Sequence, residues 1–307
     1  MGRLDKFSSI QFYGQKIVAV ELIHRGDRFE MTSITEREGS EDYSEIFASM
    51  STVERSLVSS LADDFTSIRK TGGIDAPNVS ICLDSRWVFI HSFPLDESFS
   101  ESERTNHIAW ELSNYLAPSK YEDYITGTAR LEELAVPGTS LILSASARRD
   151  LISLFRQVVS RLNLHLAVID VDHFGAEHAL RWNYPEIEQE TIALFGIKPS
   201  RVEATLFENG RSVQYQWREA HDEELAQNFL QHFLAQSSNG KSSPKKVYVY
   251  GEQANPSILS MLEKANSPTV EFLDPTRRVI LPRRLRRMEQ STFQRYAPAI
   301  GIAMREQ

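Results

Sequence analysis

Each half of this chain opens with three short strand-like runs separated by tight turns, and that repeat limits the fold more than any other feature. In the first half the runs are Ile10–Tyr13, Lys16–Leu22 and Arg28–Ile34, broken by Gly14-Gln15 and by Arg25-Gly26-Asp27. In the second they are Thr191–Phe195, Arg201–Phe207 and Ser212–Trp217, with Asn209-Gly210 inside the last turn. Asn-Gly is a strong hairpin signal because both residues tolerate the positive φ of a tight turn. Breaks this short predict an antiparallel meander. A chain of 307 residues has room for two lobes, each with its own core. The polar, acidic stretch Tyr184–Glu190 separates them.

Helical periodicity follows the first meander. Ile46, Met50, Val53, Leu57, Leu61, Phe65 and Ile68 recur every three or four residues until Gly72-Gly73 stops them, which predicts one long helix. Val79–Leu83 and Trp87–Phe93 read as strands, the second closed by Pro94. Ser100 and Glu103 form a capping box, in which each side chain satisfies an amide left unbonded at the helix start. Ile108, Leu112, Tyr115 and Leu116 line the buried face of that helix, and Pro118 ends it. Two further strands, Tyr124–Leu131 and Ser140–Ala145, precede a helix with Leu151, Leu154, Phe155, Val158, Val159 and Leu162 on one face. Leu166–Asp170 is a short strand, and a helix runs from about Asp172 to Trp182. In the second half a helix carries Leu225, Phe229, Leu230 and Phe233, and Asn255-Pro256 caps and starts another. Strands Lys246–Tyr250 and Thr269–Leu273 flank that helix. The last helix, Ala297-Pro-Ala-Ile-Gly-Ile-Ala-Met-Arg305, is built of small residues that permit close packing.

Composition removes several function classes. A net charge of −8 argues against bulk attraction to nucleic acid or anionic lipid. One cysteine, Cys82, excludes an internal disulfide and suits a reducing cytoplasm; mid-strand, it reads as a buried structural thiol. No apolar run follows the charges of Met1–Lys6, so no signal peptide is expected, and no 18-residue apolar stretch spans a membrane. No HExxH, GxSxG, Walker loop or post-strand GxGxxG is present, so an enzyme would rest on fold analogy alone. Asp170–His178 holds two aspartates and two histidines, but His173 and His178 diverge on a helix, so an aspartate cap with an exposed histidine is expected rather than a metal site. Six arginines lie between Arg277 and Arg287. An anionic contact, lipid or acidic partner, is weighed there against a solvated loop ion-paired to the acidic surface. Trp110, off the buried stripe of its helix, is a candidate partner contact set against partial burial on the neighbouring sheet.

Four segments, in order and spacing, resemble the PilM family of type IV pilus assembly, in the FtsA/PilM branch of the actin and hexokinase superfamily. They are Val79–Leu83 with Val88–Pro94; Ile108–Pro118; Leu141–Ala147 with its helix and Ala167–Asp172; and Ala297–Arg305. The resemblance covers most of the chain. It implies an α/β, two-lobed actin-like (ribonuclease H-like) fold, with mixed sheets flanked by helices and a small α+β subdomain inserted in the first lobe. The lobes would span 1–185 and 186–307, with the insert over about 87–164.

The same resemblance implies a nucleotide cleft with an Asp-x-Gly turn in each lobe. The acids hold Mg²⁺ and its waters, and glycine lets backbone amides approach the phosphates. This chain departs from that pattern. In Val18–Asp27, Glu21 stands for the aspartate, but Leu22 and Ile23 occupy positions that need small residues. In Ala193–Lys198, Gly196 remains and Lys198 follows, but Leu194 replaces the acid. The adenine-side glycine pair is reduced to Tyr250-Gly251-Glu252. Glu21, Gly196, Lys198 and Gly251 are therefore candidate remnants of a cofactor site, with no catalytic residue and no metal ligand. No cofactor is expected, and weak ATP binding is left open.

The implied function is a cytoplasmic, non-enzymatic scaffold, peripheral to the inner membrane through a partner. It would bind the cytoplasmic N-terminal peptide of a PilN-like inner-membrane protein in a type IV pilus or type II secretion platform, through a groove beside the inserted subdomain. Neither nucleic acid nor direct membrane insertion is expected. A GspL-like secretion domain is the nearest variant, and it should continue into a transmembrane segment that is not seen before Gln307. The alternative from another class is an active ATP-binding ATPase or small-molecule kinase of the same superfamily; a filament-forming protein is a third.

Overall fold

The computed structural model describes residues 5–305 apart from 51, 117–119, 135, 239–242 and 265–267, so the helix stop expected at Pro118 lies outside the described residues. The first half runs β1 (Lys6–Tyr13), β2 (Lys16–Arg25), β3 (Arg28–Glu38), α1 (Tyr43–Ser49), α2 (Arg55–Gly72), β4 (Asn78–Leu83), β5 (Val88–Asp96), α3 (Glu101–Leu116), β6 (Tyr124–Glu133), β7 (Thr139–Arg148), α4 (Arg149–Arg161), β8 (His165–Val171) and α5 (Asp172–Asn183). The second runs β9 (Thr191–Lys198), β10 (Arg201–Glu208), β11 (Arg211–Glu219), α6 (Glu223–Ser238), β12 (Lys246–Tyr250), α7 (Pro256–Lys264), β13 (Thr269–Phe272), β14 (Val279–Ile280), α8 (Gln290–Phe293) and α9 (Ala297–Ala303).

Both expected meanders form. The six-stranded sheet has the order β14-β3-β2-β1-β4-β8, and the five-stranded sheet β11-β10-β9-β12-β13. The turn between β10 and β11 places Asn209 and Gly210 at φ 50° and 74°, as an Asn-Gly hairpin demands. Residues Ile17–Ile23 of β2 are buried without a break, because helices cover this sheet on both faces. Ile17 and Ala19 meet Leu61, Phe65 and Phe155 on one side; Val18, Val20 and Leu22 meet Ala299, Ile300 and Ala303 on the other. In the second sheet, Ala193 and Phe195 face α6 and α7, while Ile192 and Leu194 face α5 and Ala297. Helices α5 and α9 therefore form a layer between the two sheets.

The small-residue helix works as its composition predicts. A Cβ on Gly301 would stand 1.8 Å from the Gly175 carbonyl oxygen, so α5 and α9 touch backbone to backbone. A third sheet, β5-β7-β6, is antiparallel, packs α3 through Phe93, Leu95, Ile108 and Leu112, and lies in the chain between β4 and β8. It is an inserted α+β unit. The capping box forms, with Ser100 N donating to Glu103 at 2.9 Å.

Three local expectations are corrected. The long helix is two, because Met50 turns extended (ψ 126°) and Glu54 starts α2 afresh. Pro94 lies inside β5 rather than closing it; β5 is an edge strand of its sheet, where a missing N–H costs little. Tyr115 is exposed, and so is Trp110, at 60%.

Candidate functional site

Parallel strands β1, β4 and β8 end at one edge of the first sheet, and β9 and β12 run parallel in the second. Ligands of open α/β sheets collect outside such carboxyl ends. Just past them lie Asp84 and Ser85 after β4, Asp172 after β8, and Gly251 and Glu252 after β12, while Lys198 closes β9.

Lys198 joins these ends. Its Nζ stands 2.6 Å from Asp172, 2.5 Å from Glu203 and 2.7 Å from Ser85 Oγ. Ser85 Oγ donates to Glu203 at 3.0 Å, and the Tyr215 hydroxyl donates to the other carboxylate oxygen at 2.6 Å. Arg201 reaches that oxygen at 3.2 Å and lies over the Trp217 ring at 3.9 Å. All four charged groups are buried, two of each sign. Burial works to raise the Glu203 carboxyl, but Lys198 and Arg201 outweigh it and hold it well below the usual carboxylate range. Burial also disfavours the Lys198 ammonium, yet Asp172 and Glu203 push its pKa up. For Asp172, burial only partly offset by Lys198 pushes the carboxyl up to about 7.

His173 is fully buried, which corrects the exposed histidine expected from the sequence. The turn from β8 into α5 directs it at the second sheet, where Nδ1 meets the Tyr250 hydroxyl and Nε2 meets Thr205 Oγ1, each at 2.8 Å. Burial lowers its pKa to about 4, so the ring is neutral near pH 7. Asp172 Oδ1 accepts the amides of Ser85 (3.2 Å) and His173 (2.7 Å).

Three of the four residues singled out from sequence come together here. Gly196 lies beneath Tyr250: a Cβ would stand 2.6 Å from the tyrosine hydroxyl, so this glycine makes room for a protein ring. Gly251, at φ +114°, donates its amide to Gln294 Oε1 at 2.6 Å, and a Cβ would stand 2.3 Å from the Ile197 carbonyl oxygen. Lys198 is the network's centre. Glu21 does not join them. Register places Glu21 opposite Ser8, near the start of β1, whereas the end of β1 beside Asp84 is the turn at Tyr13–Lys16. There Glu21 accepts the amides of Asp75 and Ala76 at 2.8 Å each and the Thr32 hydroxyl at 2.5 Å. In the turn itself, the Gly14 amide donates to Ser44 Oγ at 2.8 Å.

Sequence reasoning missed Asp84, Ser85, Asp172 and Glu203 as members of one cluster. The signals were an acid directly after each of two apolar strands, and Glu203 alone among apolar neighbours in β10.

Beside the inserted unit lies a groove of about 1100 Å³, between the β6–β7 hairpin, α5 and the β10–β11 turn. Leu131, Leu143 and Phe174 supply apolar lining, and Glu177, Arg181 and Arg211 supply charge. Asp170 of β8, the edge strand of the six-stranded sheet, contributes as well. Among the described residues no helix is long and apolar enough to cross a membrane.

No protein-family model matches the sequence, and no curated protein does. Solved structures do match in shape. A chain of the PilM–PilN type IV pilus biogenesis complex gives a TM-score of 0.76 at 14% identity, over 99% of this chain and 98% of that one. A protein from Bacteroides thetaiotaomicron, with an actin-like ATPase fold and unknown function, gives 0.56 at 11% identity, over 98% and 96%. Paired sheets around a central α5–α9 layer, with an α+β insert before β8, are thus the actin-like ATPase fold in a PilM-like form.

Proposed function

We propose that this chain is a non-enzymatic cytoplasmic scaffold of a type IV pilus or type II secretion platform. In this reading the first lobe spans 1–185, with the insert over about 87–164, and the second spans 186–307, except that α4 packs on the first sheet and β14 and α9 return to it. The first lobe holds the cytoplasmic N-terminal peptide of a PilN-like inner-membrane protein, which keeps the scaffold peripheral to the membrane.

The observation that carries the reading is the Lys198 ammonium between Asp172 and Glu203. Seating a magnesium-bound triphosphate at these strand ends would require that network to open. Leaving a buried charge unpaired costs about 3–5 kcal/mol, a large part of the roughly 8 kcal/mol that micromolar binding supplies. The Gly14 and Gly251 amides, suited to cradling phosphate, are already taken by Ser44 and Gln294. Gly196, Lys198 and Gly251 are then remnants of a nucleotide cleft turned to structural use, and no cofactor is needed.

Peptide capture needs only apolar pockets and polar groups to fix direction. The groove beside β6 and β7 offers both, and the likeness to a chain of a complex named for PilM and PilN supports the assignment. The test is a titration with the cytoplasmic N-terminal peptide encoded by the neighbouring membrane-protein gene, with and without Mg-ATP. Saturable binding indifferent to nucleotide is expected. Ala129 is exposed and lines the groove, so Ala129→Arg should weaken binding at least about tenfold, as loss of a central contact does, with the melting temperature unchanged. ATP turnover without peptide binding would overturn the reading in favour of an ATPase or kinase.

A further inference from the structure

The arginine-rich segment takes no part in the cleft or the groove. It includes β14, the edge strand of the six-stranded sheet beside β3. Arg277 is ion-paired to Glu186 and lies over Tyr184, so its charge is neutralised. The other five arginines are exposed and meet no carboxylate among the described residues. Arg278, Arg284 and Arg286 donate to the carbonyls of Trp182, Thr32 and Leu281, which hold the guanidinium groups in place without cancelling their charge. Arg283 and Arg287 point to solvent on either side of Leu285, whose buried side chain anchors the segment. Ile280, at 39% exposure, adds an aliphatic side chain to the same edge.

We propose that this edge docks on an anionic phospholipid surface. Guanidinium groups bind phosphate oxygens in pairs and are weakly hydrated, which suits arginine rather than lysine to a headgroup layer. An exposed aliphatic side chain among cations is suited to the boundary between headgroups and acyl chains. The chain carries a net charge of −8, so an anionic surface repels most of the molecule and the arginine edge sets its orientation. The peptide groove adjoins β8, at the opposite edge of the sheet. Five strand spacings separate β14 from β8, about 24 Å, so the groove stays open while the arginine edge faces a bilayer. The inference is independent of what fills the groove.

The test is sedimentation of the full chain with phosphatidylglycerol-containing vesicles and with pure phosphatidylcholine vesicles, without peptide or nucleotide. Binding to the anionic vesicles alone, weakening as salt rises, is expected. Each neutralised arginine should lower partitioning about fivefold, so Arg283→Gln with Arg287→Gln should lower it about thirtyfold. Among the described residues those two side chains hold no backbone carbonyl, so circular dichroism and melting should stay unchanged. Arg156→Gln with Arg161→Gln, the same charge change on exposed positions of α4, should leave vesicle binding intact. No sedimentation with anionic vesicles, or an equal loss from the α4 variant, would overturn the proposal. So would capture by polyglutamate without vesicle binding, which would make the edge a protein-facing one.

Discussion

At the scale of single residues, the chemistry of the cleft turns on two cations, Lys198 and Arg201, and two carboxylates, Asp172 and Glu203, that offset each other's charge out of water. Lys198→Met would leave Asp172 and Glu203 buried with only Arg201 to compensate them. The expected loss is about 3–5 kcal/mol in urea unfolding, and a loss near zero would mean that the network is not holding the halves together. Glu252 is the opposite case. Burial, with repulsion from Asp84, pushes its carboxyl from 4.5 to about 7. A raised folded pKa gives stability that is present below the unfolded value and lost as pH rises through about 7. Glu252→Gln should therefore stabilise the fold by about 1–3 kcal/mol near pH 8, and by under about 1 kcal/mol near pH 5. Melting curves of both proteins at the two pH values check this; an equal shift at both would contradict it. His173 has the reverse sign. Its depressed pKa gives stability present above 6.5 and lost as pH falls toward about 4.

At the scale of elements, the α5–α9 crossing is the tightest constraint. A methyl at Gly301 meets backbone on α5, not a side chain that can swing away. Gly301→Ala should destabilise by about 3 kcal/mol or more, the range of severe overpacking, read as lost soluble yield or a lower urea midpoint; wild-type stability would show that the helices can separate freely. Much at this scale was legible in the sequence, since periods of two and 3.6 and turn residues such as Asn209-Gly210 are local signals. What escaped was set by partners elsewhere. An apolar stripe from Ile46 to Ile68 does not reveal that the chain breaks at Met50, because both helices present the same face to one sheet. Pro94 looked like a strand end, but whether a strand is central or at an edge is decided by its neighbours.

At the scale of the whole molecule, the cleft gathers residues from four separated segments: Asp84-Ser85, Asp172-His173, Lys198–Glu203 and Tyr250–Glu252. Gly196, Lys198 and Gly251 were singled out through the motif pattern that the resemblance implies, and the structure sets them at or beside the ends of β9 and β12. Glu21 was singled out by motif spacing alone, and the structure sets it midway along β2, away from the turn at Tyr13–Lys16. Asp172 and Glu203 were invisible as partners, since nothing local says that a lysine 26 residues from Asp172 will join it to Glu203. In the proposed reading the assembled site holds itself closed with its own charges and leaves an open groove beside the insert. Isothermal titration with Mg-ATP tests that most directly. The expected result is no saturable heat at nucleotide concentrations up to about 1 mM, a dissociation constant worth about 4 kcal/mol. Saturable magnesium-dependent binding in the micromolar range would contradict it.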